Sequence, residues 1–133
     1  MKTDAEKLIA GMAKFIAEDR IPVRLELEAD SGFEIAIRRL ATYPNYLREG
    51  YASEVMAHLV KMADRLSVVV ELEAIPEEQD DPDDEIDLPN LVAFYEKFGF
   101  SGTIAEDGES AWMFRRPGMV NDKDMKQNPA PKL

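Results

Sequence analysis

Residues 42–59 read TYPNYLREGYASEVMAHL: a strand-like run stops at Pro44, a glycine turn follows, and an amphipathic helix begins. Gly50 and Ala52 leave almost no side chain where that helix starts. The first backbone N–H groups of a helix have no intrahelical acceptor, so a mouth built of small residues can be approached closely by an anion. Tyr51, Val55, Leu59, Met62 and Leu66 recur at helical intervals. They predict a helix over residues 50–65 whose single apolar stripe belongs to the core.

Nearer the N-terminus, TDAEKLIAGMAKFIAEDR sets Thr3 three residues before Glu6 and places Leu8, Met12, Phe15 and Ile16 at helical spacing. This predicts a capped amphipathic helix that ends before Pro22. VRLELEAD alternates apolar and charged residues, Asp30-Ser31-Gly32 signals a turn, and FEIAIRRLAT follows, which together predict an antiparallel hairpin. On the other side of the quoted stretch, SVVVELEAI is short and rich in β-branched residues, hence a central strand. Strand, helix, strand implies a right-handed parallel crossover. LPNLVAFYEKFGF predicts a helix closed by Gly99, and two strands turned at EDGE complete the chain. The fold class is α/β: a mixed, mostly antiparallel central sheet flanked by helices, with one parallel β-α-β unit and helices expected on both faces. Residues 1–117 read as a single domain and 118–133 as a flexible tail.

The chain has 133 residues with 16 basic and 27 acidic side chains, a formal charge of −11. That balance argues against nucleic acid or an anionic membrane as partner and favours a cationic one. The absence of cysteine removes thiolate nucleophiles and thiolate metal sites, and the single histidine, His58, falls off the apolar stripe and reads as a surface residue. No apolar run of transmembrane length and no leader pattern is seen, so a cytoplasmic protein is expected, as monomer or homodimer. Eight of the eleven residues from Glu77 to Asp87 are acidic. Such a run is most simply a solvated connection, and it lacks the glycine and ligand order of a calcium loop, so no metal site is assigned.

Two motifs carry a family resemblance. Pro44-Asn45-Tyr46-Leu47-Arg48-Glu49-Gly50-Tyr51-Ala52 has the spacing of the pyrophosphate loop of GNAT-family acyl-CoA transferases, with Leu47 where the family usually has Arg or Gln. Phe94-Tyr95-Glu96-Lys97-Phe98-Gly99-Phe100 resembles that family's closing helix, with Leu88 where an asparagine is frequent. The chain looks like a minimal, phage-like version of the family over residues 35–116. The resemblance implies acetyl-CoA as acyl donor, held by Leu40, Ala41 and Thr42 along the pantetheine arm and by Leu47, Arg48, Glu49, Gly50, Tyr51, Ala52 and Ser53 at the pyrophosphate.

It also implies transfer to a primary amine, with Tyr95 as proton donor to the leaving thiolate. A phenol has a reference pKa of about 10, which suits that task. Glu71 and Glu73, two apart on one strand and so on one side of it, are the candidates for the base that deprotonates the amine. Without the resemblance Tyr95 reads equally well as a core tyrosine, and the two glutamates as a strand end reaching solvent. The acidic run then acquires a second reading, as a lure for a cationic acceptor: a polyamine, an aminoglycoside-like amine or a lysine-rich protein surface. Two further readings stay open: a non-catalytic acidic protein of the same fold that captures a basic partner, and an enzyme for longer acyl-CoA donors.

Overall fold

The computed structural model of the protein describes residues 2–47, 49–76 and 86–118. Helix α1 (Asp4–Glu18) opens with the expected capping box: the Thr3 hydroxyl accepts from the Glu6 amide and the Glu6 carboxylate accepts from the Thr3 amide. Strands β1 (Val23–Ser31) and β2 (Glu34–Thr42) pair antiparallel, and a single 3-10 turn at Pro44–Tyr46 leads to α2 (Tyr51–Leu66). Then follow β3 (Val69–Ala74), α3 (Leu88–Glu96), β4 (Ser101–Ile104) and β5 (Ala111–Arg115).

The five strands lie in the order β1-β2-β3-β5-β4, with β2 and β3 parallel and every other pair antiparallel. This is the mixed, mostly antiparallel sheet that the sequence predicts, and its one directly paired parallel unit is β2-α2-β3. Ile35, Ile37, Val70, Leu72, Ala74, Ala111 and Met113 point to one side, where they pack with Leu8, Met12, Val55, Leu59 and Tyr95. The alternation of buried and open positions along β3 and β5 follows from the period of two in a strand.

Among the described residues only that one side carries helices, and here the expectation of a sheet covered on both faces is corrected. Arg115 stands opposite Val70 and so shares its face. Its guanidinium reaches Asp64 of α2 and the carbonyl of Phe98 just past α3. Helix α1 joins them on the same side, stacking Phe15 on His58 of α2 at 3.8 Å with the rings 3° apart. Two right-handed crossovers that advance in the same direction across a sheet place both helices on one side, and the order β2-β3-β5-β4 is such a case. Among the described residues no helix lies over the opposite face, which presents Glu71, Glu73, Trp112 and Phe114. His58 is also corrected: it is half-buried by the Phe15 ring rather than standing free on the surface.

The predicted tail lies outside the described residues except for Gly118, whose amide donates to Asp64 Oδ1 at 2.6 Å. Residues 77–85 of the acidic run also lie outside them. Among the described residues no helix is long and apolar enough to cross a membrane.

Candidate active site

The parallel pairing of β2 with β3 runs from Glu34–Val69 to Ile37–Leu72 and stops there, although β2 continues to Thr42 along β1 and β3 to Ala74 along β5. The cause is an extra residue in β2. Glu26 of β1 pairs with Arg39 whereas Leu27 pairs with Ile37, so Arg38 is bulged out. A bulge bends its strand and adds twist. Beyond it the two parallel strands part, and a cleft of about 730 Å³ opens between them, within the usual range of roughly 300–1,000 Å³ for a small-molecule site.

Leu40, Ala41 and Thr42 form one wall of this cleft, and Glu73, Ala74 and Ile75 another. The mouth of α2 closes one end through Leu47, Gly50, Tyr51, Ala52 and Ser53. Gly50 is the N-cap at φ 85°, and α2 has no side-chain cap. A Cβ at Gly50 would meet nothing within 4 Å. The glycine is therefore demanded by its left-handed backbone rather than by crowding, and the space before the first turn is open. Uncapped amides and the positive end of the helix dipole favour an anion at that place.

Of the sequence-predicted donor residues, Leu40, Ala41, Thr42, Leu47, Gly50, Tyr51, Ala52 and Ser53 are thus brought together. Glu49 is exposed and outside the lining, and Arg48 lies outside the described residues. Tyr95 faces the cleft from α3, nearly buried and edge-on to Phe94 and Phe100 at centroid distances of 5.2 and 5.8 Å. Leu88, in the first turn of the same helix, is a core residue, which accounts for an apolar side chain there.

The two glutamates separate. Glu73 lines the cleft and also borders a hollow of about 170 Å³ that it shares with Ala36, Arg38 and Trp112 of the open face. Glu71 is outside the cleft lining. A hydrogen bond with Asp30, partial burial and the charges of Asp30 and Glu34 push its carboxyl above the ordinary range, against the opposing charge of Arg38. Because the sheet is open on this side, neither carboxylate needs a buried cleft to be tolerated. Sequence reasoning missed Tyr46, which lines the cleft and meets Tyr51 edge-on at 6.2 Å. Its place two residues after Pro44, in the loop that caps the parted strands, was the available signal.

The sequence model of the Acetyltransferase (GNAT) family matches residues 2–100. The chain belongs to the GNAT acetyltransferase family. Among solved structures it is similar to Ard1 from Thermoplasma volcanium, at 20% identity and a TM-score of 0.50 over 71% of this chain and 62% of that one. It is also similar to the ribosomal-protein-S18-alanine N-acetyltransferase from Escherichia coli, at 18% identity and a TM-score of 0.47 over 75% and 63%. A third is Arabidopsis thaliana Naa50 in complex with the bisubstrate analogue CoA-Ac-MVNAL, at 19% identity and a TM-score of 0.47 over 70% and 62%. The Ard1 likeness shows a shared fold, and the chain spans 62–63% of the length of these three solved chains. No curated protein matches it.

The GNAT family uses acetyl-CoA, and the donor set here fits that molecule. An uncapped helix mouth of small residues suits a pyrophosphate, and a strand edge left without its parallel neighbour suits an extended arm of amides. GNAT membership also agrees with the resemblance found from the two motifs, and extends it to the N-terminal helix.

Proposed function

We propose that this protein is an N-acetyltransferase that moves an acetyl group from acetyl-CoA to a primary amine of a cationic small molecule or protein. One observation carries the reading: the end of the β2–β3 pairing, the uncapped mouth of α2 and the ring of Tyr95 all border a single cleft. When bound, acetyl-CoA supplies an acyl group activated as a thioester. The residues of this chain do the rest. Gly50, Tyr51, Ala52 and Ser53 offer backbone amides to the pyrophosphate, and the edge of β2 from Leu40 to Thr42 orients the arm. Tyr95 holds a proton where the sulfur leaves. Glu73, reachable from the open face, takes the proton from the incoming ammonium so that the amine attacks neutral. Glu71 is left out of this scheme by its place beside Asp30.

The cationic acceptor is supported by the formal charge of −11 and by Glu73 in the cleft lining. Calorimetry with acetyl-CoA, followed by thiol release against a panel of amines, tests the reading. Saturable donor binding with amine-dependent thiol release is expected. Donor binding without release against any amine leaves the non-catalytic reading in its place.

A further inference from the structure

The face of the sheet without helices has a chemistry of its own. Across β3 and β5, Glu73 stands opposite Trp112 and Glu71 opposite Phe114. Directly opposed side chains of an antiparallel pair are neighbours on one face, so two adjacent steps each set a carboxylate beside an aromatic ring. The row through Phe114 extends over the whole sheet as Glu28, Ala36, Glu71, Phe114 and Ser101. Trp112 is 51% and Phe114 38% exposed. Large rings left open on a sheet face mark an interaction surface more often than a plain solvated one.

We propose that this face, with Trp112 and Phe114 set against Glu73 and Glu71, is a docking surface for a lysine- or arginine-rich polypeptide segment. Three observations choose that occupant. The first is a contact already made within the chain: the Arg116 guanidinium lies over the Phe114 ring, 5.6 Å from its centroid. Aromatic faces attract cations through the ring quadrupole. The second is charge. Glu28, Asp30, Glu34, Glu71 and Glu73 gather on or beside this face, and the Arg38 guanidinium is engaged by Glu28 and Asp30. Asp30 and Glu34 stand close enough to Glu71 for their charges to help push its carboxyl up, as described. The third is spacing. Trp112 and Phe114 are two residues apart on one strand, roughly 7 Å, which is the repeat of alternate side chains in an extended peptide.

A second copy of the chain fits the face poorly. Two-fold apposition of this face would set the acidic row of one copy on that of the other, in a protein of charge −11. The inference does not depend on acyl transfer, since a protein that only binds would use the same face.

Trp112 is the only tryptophan, so its fluorescence reports this face alone. The experiment titrates the full-length protein with an oligolysine peptide and with an oligoglutamate peptide, at low and high salt, following Trp112 emission and the anisotropy of the labelled peptide together. A saturable Trp112 change with oligolysine only, weakening as salt rises, is expected. The double variant Glu71→Gln with Glu73→Gln should weaken the peptide about tenfold. Glu18→Gln with Glu96→Gln, the same charge change on the helical side, should leave it unaltered. Equal weakening by both pairs would reduce the effect to diffuse charge and overturn the proposal. So would peptide anisotropy that rises while Trp112 stays silent, which would put the site elsewhere. Concentration-dependent dimerisation that buries Trp112 without peptide would give the face to a second copy and overturn it as well.

Discussion

Both terminal nitrogens of Arg115 reach the carboxylate of Asp64, at 2.8 and 3.1 Å, across a sequence separation of 51 residues. Arg115 is only 3% exposed, and its Nε donates to the Phe98 carbonyl at 2.6 Å. One side chain of β5 thereby fastens the C-terminal ends of α2 and α3. Asp64→Ala should cost about 2 kcal/mol, because it removes the partner of a buried cation, measured by urea unfolding. The pH dependence has a defined sign. Partial burial works against the Asp64 charge, but the hydrogen bonds from Arg115 and the Gly118 amide and the Arg115 charge prevail and hold its carboxyl below the ordinary range. Stability from this group is present above the ordinary aspartate range and lost as pH falls through the depressed value. Asp64→Asn should flatten that acid limb.

Glu71 works in the opposite sense. With its carboxyl raised, its ionisation costs stability as pH rises through that value, while below the ordinary range the cost vanishes. Glu71→Gln should therefore stabilise the protein near neutral pH by about 0.5 kcal/mol, the scale of like charges on neighbouring strands. The gap in Tm between variant and wild type should close in acid. A constant gap across pH would assign the gain to something other than charge.

Ala52→Glu separates donor binding from folding. A carboxylate in the first turn of α2 is favourable to the helix, yet it stands in the cleft where an anion would sit. Calorimetry should show coenzyme A affinity reduced more than tenfold, with thermal stability unchanged or slightly higher.

Tyr95→Phe keeps the ring that packs edge-on to Phe94 and Phe100 and removes only the hydroxyl. Donor affinity should hold while the rate of acyl transfer falls by about 10²- to 10⁴-fold, the usual loss for a general acid. An unaltered rate would return Tyr95 to a packing role.

Two glycines should respond in opposite ways to alanine. A Cβ at Gly102 would lie 1.9 Å from the Trp112 carbonyl oxygen, which is backbone and cannot yield. Gly102→Ala should destabilise the β4–β5 hairpin by about 1–3 kcal/mol. A Cβ at Gly11 meets the end of the Met62 side chain, which can swing aside. Inside α1 the gain in helix propensity, up to about 1 kcal/mol, should make Gly11→Ala neutral or stabilising.

Much of this was legible in the sequence because it is local. Thr3 with Glu6, the alternation in β1, the turn signal before β2, the glycine before α2 and the spacing of Tyr51, Val55 and Leu59 are all short-range signals, and each produced the element expected. What escaped was set by partners far along the chain. Phe15 meets His58, and Asp64 meets Arg115, through packing that no periodicity records. The bare face escaped for a topological reason. Alternation in VVELEA reports that one side of β3 is polar, but which side stays uncovered depends on the edge that the β4–β5 hairpin joins. For the candidate site, the position of Gly50 was readable, whereas the parting of β2 from β3 at Arg38 is a matter of register, and register was not.

The brevity of the β2–β3 pairing reaches beyond the cleft. Its four rungs, Glu34–Val69 to Ile37–Leu72, are the only strand joint between the hairpin β1–β2 and the trio β3-β5-β4 among the described residues. The sheet is thus two leaves on a short seam, and the seam ends where the cleft begins. An extended ligand lying in the gap touches both leaves and lengthens the seam. Its binding should slow amide hydrogen exchange in β1 and in β5 alike, strands that border no part of the ligand, because each leaf then opens only when the other does.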